Sequence, residues 1–184
     1  MKFKFTPMQI PEVLLIEPTV FGDARGYFKE SYQQEEFDKF LGDLRFVQDN
    51  ESKSSYGVLR GLHYQQEPYA QSKLIRVIQG SIWDVAIDMR STSSTYKQFV
   101  FAELSGENHM QLFIPQGFAH GFIVTSESAI VQYKTDSYYH PESEVGIHSY
   151  DPTLNIPWPL KKSDHLLSGK DQKLPFLTSM NLGQ

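Results

Sequence analysis

No cysteine occurs anywhere in the 184 residues. That absence excludes disulfide staples, thiol nucleophiles and thiolate metal ligands, while it favours the cytoplasm only weakly. A basic block is missing as well: 17 Lys and Arg stand against 22 Asp and Glu, for a formal net charge of −5. Nucleic acid and anionic membrane surfaces are therefore poor main partners, although single basic residues can still hold a small anion. Long apolar runs are absent too. After the amino-terminal Met-Lys-Phe-Lys-Phe-Thr-Pro comes a four-residue apolar run, Val13 to Ile16, too short for a signal peptide or a membrane span. No Pro-, Gly- or Ser-rich linker, repeat or low-complexity tract divides the chain, whose hydrophobic content is 40%. One domain over residues 1–184 is the expectation.

What the chain does have is alternation with period two. It is clearest from Lys73 to Met89, where two alternating runs meet at Gly80 and Ser81, a pattern that predicts a β-hairpin. Further strands are predicted at Glu12 to Ile16, Phe99 to Leu104, Gln111 to Ile114, Gly121 to Thr125 and Ile130 to Ser137, each bounded by turn-forming residues. Many short strands with regular turns mean a sandwich or a barrel. One helix is predicted at about Tyr32 to Leu41: Phe37, Phe40 and Leu41 share a face, Ser31 and Gln34 have capping-box spacing, and Gly42 follows the last turn. After Gly146 the periodicity fades, leaving a short helix near Ser163 to Leu167.

Aromatic residues, 14% of the chain, mostly fill the core of an antiparallel protein. Tyr133 stands apart, because it shares a strand face with Ala129 and Val131 and so points a phenol inward. Such a hydroxyl either donates a proton into a cavity or bonds a backbone carbonyl. Of the six histidines, His109, His140, His148 and His165 lie in turn-like polar sequence and read as solvated loop residues. His63 and His120 lie in apolar segments, where an imidazole must be hydrogen-bonded or functional.

Arg60, three residues before His63, sharpens that reading, since a guanidinium cannot be neutralised and is rarely buried without an anion. Strict alternation puts Arg60 and His63 on opposite faces, unless a bulge at Gly61 re-aims one of them. Lys73 shares parity with Ile75 and Val77 and so points inward. A pocket of Arg, Lys, His and Tyr suits an anionic substrate.

Gly57 followed at His63, and Pro115, Gly117 and His120, have spacings that resemble the two motifs of the cupin β-barrel, which implies a mainly β, double-stranded β-helix or jelly-roll barrel with a few short flanking helices. Those motifs usually carry three histidines and a glutamate. Here Gln65 follows Tyr64 where a second histidine belongs, and Tyr69 and Ala70 stand where a glutamate would be. Two histidines make a poor site for a transition metal, so no metal is expected.

The segments Val20 to Gly26, Phe46 to Asn50, Val58 to Gln65, Ile114 to Phe122 and Tyr133 to Glu144 together resemble the dTDP-4-dehydrorhamnose 3,5-epimerase family, over nearly the whole chain. Relatives that epimerise a single carbon, or act as 3,4-ketoisomerases, share much of the pattern. The resemblance implies a cytoplasmic, cofactor-free homodimer converting dTDP-4-keto-6-deoxy-D-glucose to dTDP-4-keto-L-rhamnose for surface-polysaccharide precursors. It implies His63 as base, Asp171 as its orienting carboxylate, Tyr133 as proton donor and Lys73 as oxyanion stabiliser. It further implies Arg60 on the diphosphate with Arg25 and Lys170 on the nucleotide, Glu30, Gln48, Asp49, Asn50 and Glu144 lining its site, His120 facing the sugar, and Tyr139 stacking on thymine. Arg25 and Glu30 lie far from the core motifs, so the amino-terminal segment is expected to reach the partner subunit.

Overall fold

The computed structural model describes residues 2–179; Met1 and residues 180–184 lie outside the described part. In chain order the strands are β1 (Phe3–Pro7), β2 (Leu14–Pro18), β3 (Val20–Asp23) and β4 (Gly26–Lys29), followed by helix α1 (Gln34–Leu41). Then come β5 (Gln48–Ser55), β6 (Leu59–Gln65), β7 (Lys73–Gln79), β8 (Ser81–Asp88) and β9 (Phe99–Ser105). The series ends with β10 (Gln111–Ile114), β11 (Phe118–Val124), β12 (Ser128–Thr135) and β13 (Glu144–Gly146). One sheet has the order β1-β2-β10-β7-β12-β5, a second β13-β6-β11-β8-β9, and β3 with β4 forms a separate two-stranded arm. The two large sheets face each other as the jelly-roll barrel that the motif spacing predicts.

Alternation decides what lies between the sheets. Ile75, Val77, Leu112, Ile114, Ala129 and Val131 from the first sheet pack against Ile82, Ala86, Leu104, Phe118 and Phe122 from the second. Residues of opposite parity face outward and need separate cover. On the first sheet Leu14, Ile16, Leu74 and Phe113 are covered by Phe37 of α1, whose ring meets Phe3 edge-on at 5.1 Å. On the second, Leu62, Val85, Ile87 and Ala119 lie under Ile147, Leu154, Ile156 and Leu177 of the carboxy-terminal segment. That segment reads as irregular because it contributes single anchors and no repeating face.

The structure corrects three local expectations. The runs on either side of Gly80 do not form a hairpin: β7 pairs with β10 and β12, whereas β8 pairs with β11 and β9. Gly80 is a corner between sheets, with φ 79°, and a Cβ there would lie 2.0 Å from the Ser128 carbonyl oxygen. Both strands already have neighbours on each side, and Ser126 Oγ accepts the Ser81 N–H at 2.8 Å to hold the corner. The helix starts at Gln34 with Gln33 as its N-cap and no side-chain cap. No capping box forms, because the Gln34 amide is used on Asp38 and the Leu44 carbonyl. Near Ser163 there is only a 3-10 turn, Lys162–Asp164.

Candidate active site

The pairing of β6 with β11 departs from regular register where the chemistry-bearing residues lie. His63 stands opposite His120 and Arg60 opposite Phe122. Three steps along β6 thus match two along β11, which makes Gly61 and Leu62 a bulge against Gly121. Phe122 and His120 both point inward, so the extra residue turns Arg60 and His63 to the same face. Gly61 is needed there: its φ is 103°, and a Cβ would come within 2.6 Å of the His120 carbonyl oxygen.

At this end of the barrel the facing residues change from aliphatic to polar and leave a cavity of about 570 Å³. The second sheet lines it with Arg60, His63 and His120; the first lines it with Lys73 and Tyr133. Tyr139, Glu144, Lys170 and Asp171 close its mouth. Imidazole and phenol therefore approach one space from opposed walls.

His63 has a defined tautomer. Its Nε2 lies 2.7 Å from Asp171 Oδ1, and an ionised carboxylate only accepts, so in the neutral ring Nε2 carries the hydrogen and Nδ1 keeps its lone pair. Nδ1 is buried without a hydrogen-bond partner, 3.5 Å from Glu144 Oε1. Burial pushes the Asp171 carboxyl up, but the hydrogen bond and charge of His63, with Ser168 and the Gly61 N–H, bring it below the ordinary carboxylate value. Lys73 is buried, with Nζ 3.4 Å from the His63 carbonyl oxygen. Desolvation lowers its ammonium from 10.5 to about 8 against the opposing pull of Asp84 and Glu144. Burial raises the Tyr133 phenol above its usual value, only partly offset by Arg60. No backbone carbonyl holds that hydroxyl among the described residues, which favours the donor reading left open by the sequence. The constellation has a base with a free lone pair, a cation beside it and a protonated phenol opposite.

At the mouth, Tyr139 donates its hydroxyl to Glu144 Oε2 at 3.1 Å, and Lys170 pairs with the same carboxylate. Burial raises Glu144, but Lys170 and His63 keep it below the usual range. Gln48 and Asn50 share the inward parity of β5, Asn50 opposite Tyr133, and Gln48 accepts the Tyr139 N–H at 3.1 Å. Asp49 has the other parity and pairs outward with Lys134 at 2.8 Å, so within this chain it does not line the cavity. Arg25 and Glu30 also stand apart from it. Arg25, at the tip of the β3–β4 arm, is paired with Asp23 and its side chain is 89% exposed, and Glu30 is paired with Lys2 at 2.7 Å.

Two buried polar residues at the site carried no expected role in the sequence. Asp84 is fully buried and accepts from His120 Nε2 at 2.6 Å, giving a second imidazole–carboxylate pair beside the first. Its signal was present in parity, since an acidic residue sits between inward-facing Ile82 and Ala86. Gln65, noted only for not being histidine, is also buried. The four remaining histidines are less solvated than expected; all are half-buried. His165, for instance, bonds the Tyr150 hydroxyl at 2.8 Å and the Leu160 carbonyl at 3.1 Å.

Residues 7–179 match the sequence model of dTDP-4-dehydrorhamnose 3,5-epimerase. The chain belongs to that family. A dTDP-4-dehydrorhamnose 3,5-epimerase of Shigella flexneri is 52% identical over 164 residues, 89% of this chain and 90% of the relative. The crystal structure of the Elizabethkingia anophelis dTDP-4-dehydrorhamnose 3,5-epimerase superposes with a TM-score of 0.93 at 46% identity, covering 98% of this chain and 100% of that one. The Legionella pneumophila dTDP-6-deoxy-D-glucose-3,5-epimerase, solved in complex with dTDP-4-keto-L-rhamnose, has a TM-score of 0.93 and 49% identity, with 97% and 94% covered.

In this epimerase-family barrel no three His, Asp or Glu side chains converge into a metal-ligand set among the described residues. Gln65 stands where a ligand would be expected, and its amide is consumed by main-chain groups. No helix among the described residues is long and apolar enough to cross a membrane.

Proposed function

We propose that this enzyme converts dTDP-4-keto-6-deoxy-D-glucose to dTDP-4-keto-L-rhamnose by inverting C3 and C5. The C4 carbonyl acidifies the hydrogens on both neighbouring carbons. His63 Nδ1 takes a proton from one face, and the electron pair of the broken C–H bond moves to the carbonyl oxygen as an enolate, beside the Lys73 ammonium. Collapse of the enolate draws a proton from the Tyr133 hydroxyl on the opposite face, which inverts the carbon. Tyr133 is then reprotonated from solvent and His63 returns its proton there, and the cycle repeats at the second carbon. Positioned acid and base groups of this kind each contribute about 10²–10⁴-fold.

The observation that carries this reading is that His63 and Tyr133 line one cavity from opposed sheets. Arg60 and Lys170 on its wall and mouth suit a diphosphate, Arg60 through its guanidinium fork. Tyr139 is the stacking surface for thymine; Gln48 and Glu144 hold it, and Asn50 stands behind Gln48, accepting from its amide. The protein works as a cytoplasmic homodimer in this reading. The β3–β4 arm exposes Phe21, Tyr27 and Phe28, an apolar surface suited to a second copy, and it carries Arg25 and Glu30 towards the partner's cavity.

Substrate incubated with enzyme in heavy water and followed by proton magnetic resonance tests the proposal. Deuterium at both C3 and C5, with L-rhamno product, is expected. Label at one carbon only would assign a single-carbon epimerase, and a shifted keto group a 3,4-ketoisomerase. Bound but unlabelled sugar would leave a non-catalytic binding module.

A further inference from the structure

Gln65 is used by none of these steps, yet it is among the most constrained side chains at the cavity. It ends β6, is 3% exposed and lies opposite Glu144 of β13. Its Nε2 donates to the carbonyl oxygens of Tyr69 at 2.6 Å and Tyr138 at 3.2 Å, and its Oε1 accepts the His140 N–H at 2.6 Å. Both amide donors and the acceptor are thus spent on main chain.

Those partners belong to two loops, 66–72 before β7 and 136–143 after β12, which are also joined by Gln71 Nε2 to the Ser137 carbonyl at 2.7 Å and by stacking of Tyr69 on His140 at 3.7 Å. Two of the three bonds flank Tyr139 on either side. Among neutral side chains only the carboxamides of Gln and Asn donate twice and accept from a single planar group, Asn is one methylene shorter, and an apolar substitute strands three main-chain groups.

We propose that Gln65 is a positioning residue for nucleotide recognition, fixing the main chain on both sides of Tyr139 so that its ring is held at the cavity mouth. The inference rests on the nucleotide-sugar reading above. Because the contacts are to loop backbone, while Tyr133 is placed by β12 and His63, two residues earlier on β6, is held by the pairing with β11 and by Asp171, the effect belongs in affinity and leaves turnover largely intact.

Gln65→Leu, Gln65→Glu and Tyr139→Ala, with the double variants, test this by calorimetric titration with dTDP at pH 8 alongside steady-state kinetics. Gln65→Leu is expected to weaken dTDP binding and raise KM about tenfold while kcat stays within about threefold. In the Tyr139→Ala background the same change should shift affinity by less than about twofold. Gln65→Glu keeps an acceptor but loses at least one of the two donors in either protonation state, so it should weaken dTDP binding as well. Unchanged affinity in folded variants, a loss confined to kcat, or effects independent of Tyr139 would overturn the proposal. Failure of both substitutions to fold would place the amide in service of the fold and overturn it too. A parent enzyme that binds no dTDP sinks the nucleotide-sugar reading itself, whereas normal parent binding with unmoved variants sinks only the role of Gln65.

Discussion

Asp171 Oδ1 accepts a 2.7 Å hydrogen bond from His63 Nε2 across 108 residues of sequence. The carboxylate reaches that point because a 3-10 turn, Asp171–Lys173, brings the tail back over the cavity mouth, where the Ser168 hydroxyl and the Gly61 N–H hold it. The bond orients the ring and leaves the Nδ1 lone pair free, as the proposed base requires. Removal of the imidazole in His63→Ala should abolish deuterium uptake while dTDP affinity stays within a few fold. Asp171→Asn should lower turnover by about 10²–10⁴ through the wrong tautomer. Solvent exchange followed by magnetic resonance reads both, and normal exchange in His63→Ala would remove it from the role of base.

Tyr133 is held on the opposite wall with its proton secured by burial. In Tyr133→Phe, proton removal at the His63 side should persist while completed inversion falls by about 10²-fold or more. Comparing deuterium wash-in with product formation separates the two steps. Equal loss of both would mean that the phenol also assists proton removal.

Lys73 provides a pH test with opposite signs for stability and rate. Its ammonium sits at about 8 in the fold against an ordinary 10.5, so between those values the unfolded chain binds more protons than the folded one. The cost of burying the cation is fully present below about pH 8 and fades as pH rises towards 10.5, and this group's contribution to stability therefore increases with pH. Turnover should run the other way, declining above about pH 8 as the charge beside the enolate is lost. Lys73→Gln should lower kcat at neutral pH and flatten the alkaline limb; an unchanged limb would assign it to another group.

Gly61 carries the bulge that turns Arg60 and His63 to one face. Gly61→Ala drives a methyl towards the His120 carbonyl at 2.6 Å in a left-handed backbone and should cost about 3 kcal/mol. Denaturant melts measure this, and a stability equal to the parent's would show that β6 can pair without the bulge.

Arg25 is far from its own chain's cavity. If the arm serves the partner, mixing inactive Arg25→Ala and His63→Ala subunits should restore activity to about a quarter of the parent level, since one site in the mixed dimer keeps both residues. Titration of one variant into the other reads this, and no recovery at any ratio would return Arg25 to its own subunit or to no role.

The barrel and the inward aim of Tyr133 and Lys73 were legible because strand parity is a local property: each side chain's face follows from its neighbours two residues away. The aspartate between Ile82 and Ala86 was readable by the same rule. β5 was not, since its residues Gln48–Ser55 are polar throughout; one face meets water and the other the polar rim of the barrel. Pairing is another matter. The alternation on either side of Gly80 is the same for a hairpin as for a corner between sheets, and only the presence of β10, β12, β11 and β9 as competing neighbours decides it. The sequence alone determined which side chains turn inward and which residue types await a substrate. The tertiary structure decided that Arg60 and His63 share a face, that Asp171 meets His63, and that Asp49 turns away, because register and loop return depend on contacts between segments that carry no mark of one another in the chain.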